Sequence, residues 1–259
     1  MAIVQLTDLH IGAPDGDPPG DLAAALTAVG ELRGDARPAA VLVSGDLVND
    51  GTAAQYAEVR ALLDVVDVPL HVLPGNHDDR AGLRSAFPLD VAPEDSGGDP
   101  TAPYRYAVGC GDIRLVACDT VIPGSPDGSF DAAQQAWLDE VLGQDTVTPT
   151  LVAMHHPPIP VGLPVLDPMA LPPADRAGLG AVLARHPQVA RVVCGHVHLP
   201  AAGTVGGVGV LSAPSTWRLQ FRLDLAVPEL RVTDGPAGLA VHALLEGQIV
   251  SFVRTVDAL

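Results

Sequence analysis

Short apolar runs that each end in a polar turn organise most of this chain. Ala2–Thr7, Ala40–Ser44, Pro69–Leu73, Leu151–Met154 and Val189–Cys194 are short and nearly continuous in apolar residues, which predicts buried strands. Between them the period changes to that of helices. Leu22, Ala25, Leu26, Val29 and Leu32 follow a cap expected at Asp21, with a stop at Gly34. Tyr56, Val59, Leu62, Leu63 and Val66 follow Thr52. Asp79–Phe87 reads as a short helix, Asp131 opens one with Ala133, Ala136, Trp137 and Val141 on a face, and Ala174–Arg185 is another. Strand, helix and strand in succession make βαβ units, hence parallel strands.

Tyr104–Val108 and Ile113–Cys118 flank Gly109-Cys110-Gly111-Asp112 and read as an antiparallel hairpin. Beyond Gly203 only strands are expected: Gly207–Leu211, Arg218–Leu225, Leu239–Leu245 and Gln248–Val253, the last two joined at Glu246-Gly247. The segments Pro88–Pro103, Asp119–Ser129 and Pro157–Pro173 carry no period. Loops of that length usually serve function, and the proline-dense third, with Val161, Leu163, Leu166 and Met169, suits a pocket wall. With polar turns running from Asp8 to His198, a single α/β domain over residues 1–259 is expected, its part from 200 to 259 rich in strands.

The polar turns carry the chemistry. Asp8-Leu9-His10, Gly45-Asp46, Gly75-Asn76-His77-Asp78, His155-His156 and Gly195-His196-Val197-His198 each follow a predicted strand, and ligands of open α/β sheets gather at the strands' carboxyl ends. Any one of them alone is an ordinary turn. Together they offer Asp8, His10, Asp46, Asn76, His155, His196 and His198 as metal ligands, a mixed imidazole and carboxylate set suited to Mn, Fe, Zn or Co. Seven ligands are too many for one cation with an open position, whereas two adjacent cations bridged by one carboxylate, Asp46, would use them all. His156 reads as a neighbour of the ligands, and Asn49 and Asp50 as shapers of the turn after Asp46. His71, His186 and His242 read as structural and Trp137 as core, while Arg218 could face either a phosphate or solvent.

Composition narrows the partners. The formal charge is −17 from 14 Arg and 31 Asp plus Glu, with no Lys, which disfavours nucleic-acid polymers and anionic membranes. Apolar residues make up 47% and aromatics 3%, so the core must be Ala, Val and Leu. No leader pattern precedes the first strand, no apolar stretch is long enough to span a bilayer, and Cys110, Cys118 and Cys194 read as buried reduced thiols, so a cytoplasmic protein is expected.

The ordered series Asp8-x-His10, Gly45-Asp46, Gly75-Asn76-His77-Asp78, His155-His156 and Gly195-His196-x-His198 resembles the calcineurin-like metallophosphoesterases. The fuller strings Ser44–Asn49, Pro74–Asp79 and Met154–Pro158 resemble the branch of class III cyclic nucleotide phosphodiesterases and glycerophosphodiesterases. The resemblance implies a four-layer αββα sandwich of two mixed β-sheets flanked by helices. It implies a first divalent metal ion on Asp8, His10, Asp46 and His198, and a second on Asp46, Asn76, His155 and His196. His77, Asn76 and Asp46 are the expected catalytic residues, His77 as the group that protonates the leaving alkoxide, with Asp78 as its orienting partner. The expected reaction is hydrolysis of a small phosphodiester by water activated at the metal pair, foremost a 3′,5′-cyclic nucleotide such as cAMP. A glycerophosphodiesterase or a broad phosphomonoesterase is the alternative; a scaffold without activity does not fit a full ligand set. A homodimer is a further expectation from that branch.

Overall fold

The computed structural model describes residues 1–88, 99–223 and 229–256. Two mixed sheets lie face to face. The first runs in the order β13-β12-β1-β2-β3, from β1 (Ala2–Leu6), β2 (Pro38–Ser44), β3 (Leu70–Leu73), β12 (Ala237–Leu245) and β13 (Gln248–Val256). The second runs β4-β5-β6-β7-β9-β8, from β4 (Tyr106–Cys110), β5 (Ile113–Ala117), β6 (Thr150–Ala153), β7 (Val189–Cys194), β8 (Ala201–Val205) and β9 (Val208–Ser212). A small hairpin of β10 (Leu219–Phe221) and β11 (Val232–Asp234) stands apart. The strands β1, β2 and β3 are parallel, as are β5, β6, β7 and β9, as expected of βαβ units.

The alternation of side chains on β5 and β6 assigns the layers. Leu115, Ala117, Leu151 and Ala153 join the core between the sheets, while Val116, Val152 and Met154 face helices α4 (Ala132–Gly143) and α5 (Pro173–Leu183) through Leu138, Leu142, Leu179 and Leu183. On the far side, α1 (Pro18–Gly30) and α2 (Ala53–Leu63) close the first sheet with Leu22, Ala25, Val29, Tyr56, Val59 and Leu63. This is the expected four-layer sandwich. No helix among the described residues is long and apolar enough to cross a membrane.

A buried polar line crosses the dry space between the sheets. Gln5 Nε2 donates to Ser44 Oγ at 2.7 Å and to the Cys194 carbonyl at 3.0 Å, so its Oε1 accepts from His242 Nε2 at 3.0 Å. The other ring nitrogen, Nδ1, meets Ser251 Oγ at 2.8 Å. Every atom of the Gln5 amide is thus satisfied at zero exposure, and the line joins β13, β12, β1 and β2 of one sheet to β7 of the other.

Several local expectations are corrected. Helix α1 begins at Pro18 because Asp17 accepts the Gly20 N–H and two prolines preset the first turn; Asp21 instead accepts the Arg218 N–H. On α4 the inward face is Gln134, Leu138, Val141 and Leu142, so Ala133 and Ala136 stay exposed and Trp137 lies half-buried under the Arg105 guanidinium. Strands β8 and β11 were not expected, and the tip of the predicted Arg218–Leu225 strand lies outside the described residues, as does 89–98 of the loop before Tyr104. Thr52, Asp79 and Asp131 do cap α2, α3 (Arg80–Ala86) and α4.

Candidate metal centre

The five polar turns meet at the carboxyl ends of β1, β2, β3, β6 and β7, and their backbone is unusual. Asp8, His10, Asp46, His196 and His198 all have positive φ, between 47° and 69°. Glu246, in the hairpin turn between β12 and β13, is the sole other non-glycine residue of that kind among the described residues. A left-handed backbone costs a side-chain-bearing residue on the order of 1–3 kcal/mol, and such residues cluster where function demands them. The turns are held by Asp8 N–H to the Gly45 carbonyl and His10 N–H to the Asp46 carbonyl, both at 3.0 Å.

The glycines before the ligands follow from crowding. A Cβ on Gly45 would overlap the His155 ring, one on Gly75 would overlap Asp46 Oδ1, and one on Gly195 would overlap Thr7 Oγ1 and crowd Asp8 Oδ2. Each turn packs its backbone against a ligand from another strand. Gly-Asp, Gly-Asn and Gly-His in the chain thus record close approach.

The ligand atoms converge on two adjoining spots. His10 Nε2 lies 3.2 Å from His198 Nε2 and 3.5 Å from Asp46 Oδ2, and His198 Nε2 lies 3.5 Å from Asp8 Oδ1. On the other side, His155 Nε2 lies 3.3 Å from Asp46 Oδ2 and 3.3 Å from Asn76 Oδ1, which in turn lies 3.0 Å from His196 Nδ1. With metal–ligand bonds of about 2.0–2.2 Å, neighbouring ligands around one cation stand roughly 3.0–3.5 Å apart. The observed separations match the edges that two such polyhedra sharing Asp46 Oδ2 would have.

The outward nitrogens are fixed by the fold. His155 Nδ1 donates to the Ser44 carbonyl at 2.9 Å and His198 Nδ1 to the Leu219 carbonyl at 2.8 Å, so both Nε2 lone pairs face inward. His10 Nδ1 and His196 Nε2 are buried with no protein partner. Electrostatics are those of a cation cage. Burial pushes His10 down to about 3 and, with His156 and His155 beside it, holds His196 well below the ordinary imidazole range. Burial would raise Asp46, yet His155 and His10 hold it well below the usual carboxylate range; Asp46 in turn overcomes burial to lift His155 to about 9. Burial raises Asp8, against the pull of His198. A cation held by Asp46 and His155 would have to displace the proton that His155 carries. Donor types and spacing fit divalent metals.

His77 stands at the open side of this cluster, its ring edge-on to His10 at 4.7 Å. Its N–H donates to Asp46 Oδ1 at 3.0 Å and its Nδ1 to the Asn49 carbonyl at 2.8 Å. Asp78 does not orient it, which corrects the expectation. That carboxylate points inward, accepting from Leu47 N–H, Gly75 N–H and Tyr56 O–H, and burial together with Asp46 raises it to about 7.

A cleft of ≈ 280 Å³ opens over the cluster. Its floor is His10, Asp46, Asn49, Asn76, His77, His196 and His198, and its walls are Pro126, Leu166, Met169, Trp217, Leu219, Phe221 and Leu230. The expected wall residues Leu166 and Met169 are there, whereas Val161 and Leu163 pack beneath with Val197. Trp217 and Phe221 were missed: Trp217 sits 5.0 Å from the His10 ring and Phe221 stacks 4.6 Å from His198, and only their place after the last motif hinted at it. Arg218 lies outside the cleft, 4.0 Å from both Asp21 and Asp234. His71, His186 and His242 also lie away from it.

Comparison with known proteins agrees with this geometry. The chain is 38% identical over 162 residues to the glycerophosphodiester phosphodiesterase GpdQ of Enterobacter lignolyticus, covering 62% of this chain and 56% of the relative. It is 35% identical over 206 residues to a cAMP/cGMP dual specificity phosphodiesterase of Mycobacterium tuberculosis, covering 78% and 61%. The match thus spans a little over half the length of both relatives. The 3′,5′-cyclic adenosine monophosphate phosphodiesterase CpdA of Pseudomonas aeruginosa is 31% identical over 241 residues, covering 89% and 84%. In fold, a dimetal phosphatase from Danio rerio superposes with a TM-score of 0.69 at 19% identity, over 99% of each chain. Residues 1–200 match the family pattern described as calcineurin-like phosphoesterase, and they contain all five metal-ligand turns: the chain belongs to the calcineurin-like phosphoesterase family.

Proposed function

We propose that this protein is a metal-dependent phosphodiesterase acting on a small diester, foremost a 3′,5′-cyclic nucleotide. The observation that carries the reading is the pair of adjoining ligand sets that share Asp46 Oδ2. In it, Asp8, His10, Asp46 and His198 hold a first divalent cation of the Mn, Fe, Zn or Co type, and Asp46, Asn76, His155 and His196 a second. When bound, the two cations polarise the phosphate oxygens and acidify water for an in-line displacement.

The chain's own residues do the rest. The bond from His77 Nδ1 to the Asn49 carbonyl keeps the ring in place and leaves Nε2 as the atom that carries a proton to the departing oxygen. Asp46 positions this group too, since its Oδ1 accepts the His77 N–H while its Oδ2 serves the cations. The carboxylates balance the cation charge, so no lysine or arginine is needed on the cleft floor. Three buried, unpaired thiols suit a reducing compartment, and we place the protein in the cytoplasm.

The cleft walls support a nucleotide over a bulkier or charged partner. They are apolar, two are aromatic, and none carries a cationic side chain, which suits a planar base beside the phosphate. At ≈ 280 Å³ the space lies just below the usual range of small-molecule sites, roughly 300–1,000 Å³. A second reading is a glycerophosphodiester: the relative of that activity is 38% identical, and aromatic walls also accept a quaternary ammonium. Parallel assays of the Mn-loaded protein on cAMP, glycerophosphocholine, bis-p-nitrophenyl phosphate and p-nitrophenyl phosphate separate them. We expect turnover of the diesters, with kcat/KM highest for cAMP. Hydrolysis of the monoester alone would refute the assignment.

A further inference from the structure

His156 is fully buried beside the ligands. Its ring lies 4.7 Å from that of His196, tilted by 51°. Nitrogens of His155, His156 and His196 lie within 4.8 Å of one another. The Nε2 atoms of His156 and of His196 are both buried and neither makes a hydrogen bond of good geometry, although the Pro126 carbonyl also faces the His156 ring. Two such orphans on neighbouring rings are unusual, because an unpaired buried polar atom is costly.

The His156 ring is held firmly. Its Nδ1 lies 2.8 Å from Thr120 Oγ1, an oxygen that also accepts the His156 N–H at 3.3 Å. Its flank rests on Gly128, where a Cβ would stand 2.5 Å from His156 Cγ. Only glycine leaves room for the ring there. Thr120 and Gly128 belong to the segment whose Pro126 lines the cleft.

We propose that His156 is the positioning residue for His196, accepting the His196 Nε2–H on its own Nε2 through one bridging water. The logic is that of tautomers. His196 Nδ1 is turned to Asn76 Oδ1 at 3.0 Å, so a neutral ring ligating through Nδ1 carries its proton on Nε2, where it needs an acceptor. His156 supplies one once its Nδ1–H is donated to Thr120 Oγ1. The relay Thr120–His156–His196 thus fixes the ring of one ligand of the second cation. Its link to the first ligand set is the His196 backbone N–H, which donates to Asp8 Oδ1 and Oδ2 at 3.1 Å, and not the His196 ring.

This inference rests on the two-cation reading, and metal titration tests both separately. In the wild-type protein Mn²⁺ binding followed by calorimetry and elemental analysis should give two equivalents; fewer than two would overturn the metal reading and this inference with it. Given two, His156→Leu should keep the first equivalent and weaken the second by about 10–100-fold. His156→Gln, whose amide oxygen replaces the acceptor, should recover most of that loss, and Thr120→Val should show a smaller loss at the same equivalent. Wild-type affinity at both equivalents in His156→Leu, an equal loss at both, or no recovery in His156→Gln would overturn it. Where circular dichroism shows His156→Leu unfolded, Thr120→Val decides, and an unchanged second equivalent there would overturn the proposal.

Discussion

Asp46 Oδ2 approaches His155 Nε2 to 3.3 Å across the gap between the two sheets, the one on the turn after β2 and the other after β6. The same oxygen lies 3.5 Å from His10 Nε2, so a single carboxylate joins the halves of the centre. Asp46→Asn should lower the affinity for both cations and reduce turnover. His77→Ala should cut kcat by about 10²–10⁴-fold, the usual worth of a general acid, while both cations stay bound. Elemental analysis of the two variants checks this. Equal metal loss in both would contradict their separate roles.

Gly75 has an ordinary φ, so its role is space alone. A Cβ there meets the Asp46 carboxylate and backbone N, and neither can yield without moving the bridging oxygen. Gly75→Ala should therefore impair metal uptake more than it lowers the melting temperature. By contrast Gly143→Ala, at a helix end with open space around it, should leave metal content untouched. Matched metal content in the two variants would show that the packing against Asp46 is looser than described.

Leu230 lines the cleft at 38% exposure. Leu230→Asp places a negative charge beside an anionic substrate and removes apolar wall. KM for cAMP should rise about tenfold, equivalent to about 1.4 kcal/mol of lost binding, with kcat and metal content near wild type. Steady-state kinetics at saturating Mn²⁺ reads this directly, and an unchanged KM would move the substrate to another wall.

His242 gives a pH signature far from the cations. Burial pushes it down to about 3, from an ordinary value of 6.5. Between these values the unfolded chain binds a proton that the folded one refuses. Its share of stability is complete above pH 6.5 and is lost as the pH falls toward 3. His242→Gln keeps a donor for Gln5 Oε1 and cannot titrate, so its unfolding free energy should fall less steeply between pH 7 and pH 5, by up to about 1.4 kcal/mol per pH unit. Urea denaturation in chelator provides the curves; parallel curves would mean that His242 is not buried neutral.

Much of the centre was legible because buried parallel strands are nearly continuous apolar runs, and the first polar residue after each marks the sheet edge. That placed Asp8, Asp46, Asn76, His155 and His196 before any coordinates. What escaped depends on long-range packing. Asp78 follows His77 in the chain, yet the turn after Gly75 swings its carboxylate back under Leu47 N–H. The β8 strand, Ala201–Val205, has too few large apolar residues to announce itself and is ordered by pairing with β9. Trp217 and Phe221 reach the cleft because the β10–β11 hairpin folds over the His198 turn, and no local pattern specifies that.

Anomalous diffraction from crystals of the Mn-loaded protein tests the central claim most directly. Two peaks should appear, one coordinated by Asp8, His10 and His198, the other by Asn76, His155 and His196, with Asp46 touching both. A single peak, or a pair that Asp46 does not bridge, would contradict the account.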